Sequence, residues 1–118
     1  MPMLATLLTG LVALLHLWFL VLEMFLWTKP LGRRVFKLTE EKAQLTKALA
    51  ANQGLYNGFL AAGLVWGLWL GADGQAIRVF FLGCVIVAGV FGAATVGRKI
   101  LFVQALPAAV ALGLTWVA

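Results

Sequence analysis

The sequence predicts an all-α polytopic membrane protein, four transmembrane helices in a compact bundle with both termini outside. Three observations predict it. Of the 118 residues, 64% are hydrophobic and 11% charged, with a mean hydropathy of +1.03, which leaves too little polar surface to cover a soluble core. The charges cluster, so the apolar runs between them reach the about 20 helical residues that cross about 30 Å of hydrocarbon. The basic residues also fall on alternate connections, as the positive-inside rule requires.

The first span covers about residues 3 to 27. No basic residue precedes it and its apolar run exceeds a typical signal core, so it is expected to stay in the mature protein. The connection from about 28 to 46 reads "TKPLGRRVFKLTEEKAQLT". Pro30 and Gly32 break the first helix, whereas Thr39 followed by Glu40 and Glu41 reads as an N-cap with acids complementing the positive helix end. The second helix therefore starts near Thr39 and projects into the cytoplasm before spanning about 47 to 70. Between break and cap, Leu31, Val35, Phe36 and Leu38 alternate with Arg33, Arg34 and Lys37, a mixture suited to the membrane surface. These three cations, with Arg98 and Lys99, are expected to meet lipid headgroups or another anion.

The third span covers about 76 to 96 and the fourth about 100 to 117, with Pro107 placed to kink it. Lys29, Arg33, Arg34, Lys37, Lys42 and Lys47 lie on the first connection and Arg98 and Lys99 on the third, against Arg78 alone on the second. The first and third connections are thus cytoplasmic, and the expected location is an inner (cytoplasmic) membrane with both termini outside. Trp27, Trp66, Trp69 and Trp116 fall near span ends as interfacial anchors; Trp18 falls inside a span and is either buried or lipid-facing. Continuous apolar runs exclude a β-barrel. Topology already accounts for the net charge of +5, so no nucleic-acid partner is implied.

Small residues mark close helix approaches. Gly54 and Gly58 form one row on the second span, and Gly63, Gly67 and Gly71 form another on a different face; Gly89, Gly92 and Ala93, then Ala105, Ala109 and Gly113, continue the pattern. Two close-approach faces on one helix predict a homo-oligomer. The single cysteine, Cys84, lies in an apolar stretch and reads as packing.

The candidate site comes from polar residues at matched depth. At a rise of 1.5 Å per residue, Glu23 is about 9 Å from Lys29, Asn52 and Gln53 about 8 to 9 Å from Lys47, and Gln104 about 8 Å from Lys99. Tyr56 and Asn57 lie about 14 Å from Lys47, and His16 about 20 Å from Lys29. Thr9, His16 and Glu23 recur every seven residues and share a face, while Asn52, Gln53, Tyr56 and Asn57 fall within an arc of about 140°. Polar side chains in a membrane turn to a bundle interior or a hydrated cavity and mark candidate sites. The amides and phenol are therefore expected to solvate Glu23 and His16 across an interhelical seam that Gln104 completes. No metal is expected, because His16 and Glu23 lie about 10 Å apart along the axis without another His or Cys ligand nearby. The lone histidine has no serine partner, so no nucleophilic triad is expected either.

The stretches "VLEMFLWTKPLGRRVFKLT" and "LAANQGLYNGFLAAGLVWG" resemble the uncharacterised bacterial family of small membrane proteins called domain of unknown function 1304. Glu23, Trp27, Pro30, Gly32, Asn52, Gln53, Tyr56, Asn57 and Gly58 carry the resemblance, which spans nearly the whole chain. It implies a four-helix membrane protein and no particular activity, catalytic residue or cofactor. Two architectures are similar in outline. Small multidrug-resistance transporters share the length and a glutamate on the first helix, but Glu23 lies near that helix's end. The eicosanoid and glutathione metabolism family shares four helices and a cytoplasmic-side site, but "KALAANQGLYNGF" lacks its Arg-rich, His-Asn-Glu pattern. The function expected is a cytoplasm-facing intramembrane pocket that binds, or in one variant transports, a small molecule or lipid. A membrane transferase and a structural partner protein without a ligand are the alternatives.

Overall fold

The computed structural model describes residues 2–117, and they are all-α, with no strand among them. Five α-helices follow one another: α1 Pro2–Met24, α2 Pro30–Phe36, α3 Glu40–Trp69, α4 Gln75–Thr95 and α5 Leu106–Val117. A 3-10 turn, Gly71–Gly74, joins α3 to α4, and a π-helical segment, Leu101–Ala105, leads into α5. Two of these helical stretches, Met3–Met24 and Gly71–Thr95, are long and apolar enough to cross a membrane, while Leu101–Val117 is apolar but shorter. In α3 the length is ample, and Asn52, Gln53, Tyr56 and Asn57 dilute its apolarity.

The helix boundaries follow local chemistry. Thr39 caps α3 as its position predicts, since its Oγ1 accepts a hydrogen bond from the Lys42 backbone N–H at 3.1 Å, satisfying one of the free donors of the first turn. α1 ends at Met24, earlier than the span to 27 suggests, because the backbone loosens there: both Phe25 and Leu26 donate to the Val21 carbonyl. Pro30 does not itself break α1. It opens α2, where its missing N–H costs nothing and its fixed φ suits the first helical position, and Lys37 then ends α2 in the left-handed region at φ 54. At the far end, the 3-10 turn exploits Gly71 at φ 61. Arg78 caps α3 there, its Nη1 donating to the Gly67 and Gly71 carbonyls at 2.7 Å each. Pro107 lacks a donor, and the distortion falls just before it: the Leu106 N–H reaches back five residues to the Leu101 carbonyl, producing the π segment.

The described chain forms two compact units. One comprises residues 1–14 and 60–118 and is centred on Val12, Ala13, Leu64, Leu82, Val85, Ala108 and Ala111. Its backbones come close: a Cβ on Gly89 would stand 2.7 Å from the Ala105 backbone nitrogen, and one on Gly63 would meet the Phe81 ring. Thr115, buried here, satisfies its hydroxyl on the Ala111 carbonyl one turn back. The other unit, residues 15–59, holds the end of α1, all of α2 and the first two-thirds of α3. In it Gly54 lies against Leu20, Glu23 and Met24, and Gly58 against Leu20.

The two faces of α1 differ sharply. Ala5, Thr9, Val12 and His16 are buried, whereas Leu4, Leu7, Leu11, Leu14 and Trp18 are exposed at 48, 61, 46, 64 and 44%. Trp18 is thus on the outer face.

Candidate functional site

The candidate site lies in the unit of residues 15–59, where three segments converge. Gly54 lets α3 approach α1 closely, because a Cβ there would sit 3.1 Å from the Glu23 Cβ and 3.3 Å from the Leu20 carbonyl. This approach puts Glu23 opposite Asn57, three residues further along α3. Asn57 Nδ2 donates to Glu23 Oε1 at 2.5 Å. Asn57 is 5% exposed, so its amide is held by a carboxylate in place of water, while Glu23 is only half-buried and stays accessible from one side.

That open side is a cleft of about 290 Å³, lined by Glu23, Met24, Phe25, Trp27, Thr28, Lys47, Ala48 and Ala51. Its outer wall is tied down. The Trp27 indole packs on Phe36 at 4.7 Å between ring centroids and donates from Nε1 to Thr46 Oγ1 at 3.0 Å, and Thr46 in turn donates to the Lys42 carbonyl at 2.7 Å. Gly32 fits α2 beneath the turn, since a Cβ there would stand 1.8 Å from the Leu26 carbonyl oxygen. Trp27 therefore links α2 to α3 at the cleft's edge.

The structure brings together only part of the polar cluster expected from sequence. Glu23 and Asn57 meet as predicted. Asn52 and Gln53 are exposed, and Tyr56 is half exposed with its ring tilted against Phe59 at 6.0 Å. These three stay exposed because the arc of about 140° they share with Asn57 is wider than one helix contact can bury. His16 is fully buried, edge-on to the Phe19 ring at 5.2 Å. Gln104 is half-buried in the π segment of the other unit. Among the basic candidates, Arg34, Lys37, Arg98 and Lys99 are exposed, and Arg33 is half-buried with its Nε enclosed. Lys47, Thr28 and Trp27 were not among the sequence candidates for the cleft. For Lys47 a signal existed, since Lys47 and Ala51 are one turn apart on one helix face.

A family model described as protein of unknown function (DUF1304) matches residues 10–116. The chain is also similar to the uncharacterized protein YpaA of Lactococcus lactis subsp. lactis (strain IL1403), with 30% identity over 106 residues, covering 88% of this chain and 89% of that protein. No solved structure matches it.

Proposed function

The chain belongs to the DUF1304 family, and because membership brings no activity with it, we propose a function from the site: a small integral membrane protein that binds a small molecule or lipid at Glu23. The observation that carries this reading is the half-buried Glu23 carboxylate, fixed by Asn57 and bordering an open cleft. A carboxylate inside an apolar helix is costly, and one facing a cavity marks a binding or relay position by default. In this reading all four apolar stretches cross the bilayer. The exposed leucine stripe of α1 meets lipid, the first connection lies in the cytoplasm, and the cleft opens on that side. Transport of the bound molecule is a variant of the same reading. Arg34, Lys37, Arg98 and Lys99 then lie at the level of anionic headgroups.

The competing role for the pair is adhesion alone, favoured by the burial of Asn57. Two substitutions separate the roles. Glu23→Gln keeps the size and a hydrogen-bond acceptor for Asn57, so thermal stability in detergent should stay near the parent while small molecules or lipids that co-purify, read by native mass spectrometry, are lost. Glu23→Leu strands the buried Asn57 amide and should cost about 1–3 kcal/mol. A parent-like Glu23→Leu together with a Glu23→Gln that retains its co-purifying molecules would place the site elsewhere.

A further inference from the structure

Resting on the reading of the Glu23 cleft as a binding site, we propose that its ligand is an elongated amino acid whose ammonium lies at Glu23 and whose acid group, at the far end of an aliphatic chain, lies at Lys47. Both charges line the one cleft. They are kept apart along α3: Gly54 abuts the Glu23 Cβ at 3.1 Å, and Lys47 is seven residues earlier, about 10 Å along the helix axis. Among the described residues the two form no ion pair. Glu23 accepts one hydrogen bond, from Asn57, which leaves most of the acceptor capacity of a carboxylate for an ammonium. Lys47 is exposed at the other end with its donors available to an anion.

Besides the two charges, the cleft is lined by Met24, Phe25, Trp27, Ala48 and Ala51, with Thr28 the one neutral hydroxyl. A mostly apolar cleft that carries one carboxylate and one ammonium complements a methylene chain with the opposite charges at its ends. A volume of about 290 Å³ is at the small end of ligand sites and admits a metabolite-sized molecule. The order of the charges favours a soluble molecule over an amino-headed phospholipid. Lys47 is nearer the hydrophilic start of α3 and Glu23 lies further into the apolar part. A phospholipid carries its ammonium furthest from its acyl chains, so an ammonium at Glu23 would force the chains outward past Lys47, away from hydrocarbon. Trp27, fixed by Phe36 and Thr46, gives the site a rigid wall, which lowers the ordering cost of binding.

The test is calorimetric titration of the full chain in detergent with ε-aminocaproate, hexylamine and caproate, on the parent, Glu23→Gln and Lys47→Gln. The parent should bind ε-aminocaproate about five- to tenfold more tightly than hexylamine, the worth of one charge-assisted contact, and caproate most weakly. Lys47→Gln should erase the preference for ε-aminocaproate, and Glu23→Gln should abolish binding of both amines. Equal affinity for hexylamine and ε-aminocaproate, with loss in Glu23→Gln, overturns the two-charge ligand and leaves Glu23 as a cation site. Displacement of ε-aminocaproate by lysophosphatidylethanolamine at lower concentration than by itself overturns the soluble source in favour of a headgroup. Absence of any Glu23-dependent binding overturns the assignment outright, while the co-purification experiment judges the broader binding reading separately.

Discussion

At the scale of single residues, the site depends on positions where a side chain is missing as much as on those where one is present. Gly54 brings two backbones close enough for Asn57 to reach Glu23, and Gly32 lets α2 tuck under the Leu26 carbonyl. Gly32→Ala should be the more damaging change for its size, because the new methyl meets backbone that cannot swing aside as a side chain tip can. An added methylene in a tight site costs about 1–3 kcal/mol. The expected outcome is a lowered thermal midpoint in detergent, with tryptophan fluorescence changed as Trp27 loses its seat on Phe36; an unchanged midpoint would show that the turn adapts.

Among the helical elements, α3 carries most of the functional argument. Its projecting first turns are held by Thr39, whose hydroxyl accepts from Lys42. Thr39→Ala should cost about 1 kcal/mol and speed amide exchange over the first turn of α3, leaving α4 and α5 unaffected; parent-like exchange there would mean that the cap is dispensable. Gly54 and Gly58 are met by α1, and Gly63 and Gly67 by Phe81 and Arg78, while Gly71 lies beyond α3 with open space around it. A subunit contact through Gly54 and Gly58 would therefore have to displace α1. Gly54→Leu should lower thermal stability by forcing Met24 and Leu20 apart while leaving the mass in mild detergent unchanged. A change in mass with intact stability would return Gly54 to a subunit interface.

For the whole molecule, long apolar faces stay exposed. Phe80, Val87 and Phe91 on α4 are exposed at 63, 69 and 68%, as is the leucine stripe of α1; apolar faces of this length on a monomer call for lipid or a partner. Arg78, the lone cation of the second connection, is occupied in capping α3, so its presence there is explained by the fold and does not weaken the charge asymmetry. With Cys84 replaced by Ala, single cysteines introduced at either terminus should react with an impermeant thiol reagent on intact cells. Reaction only after lysis would invert the topology.

The all-α class, the Thr39 cap and the shared face of Thr9, His16 and Glu23 are legible in the chain, because each depends on spacing along one helix, which the 3.6-residue turn dictates without reference to any neighbour. The sequence also placed Glu23, Asn52, Gln53, Tyr56 and Asn57 in one candidate cluster. That Asn57 alone of the four polar residues on α3 meets the carboxylate emerges only when the helices pack. Which part of a wide polar arc is buried depends on where the partner helix crosses, and that is fixed by Gly54 against Leu20 and Glu23. The end of α1 at Met24, the placement of Trp27 and the entry of Lys47 into the cleft likewise follow from α2 folding back. A turn closed by contacts between distant residues leaves no periodic signal in the chain that forms it.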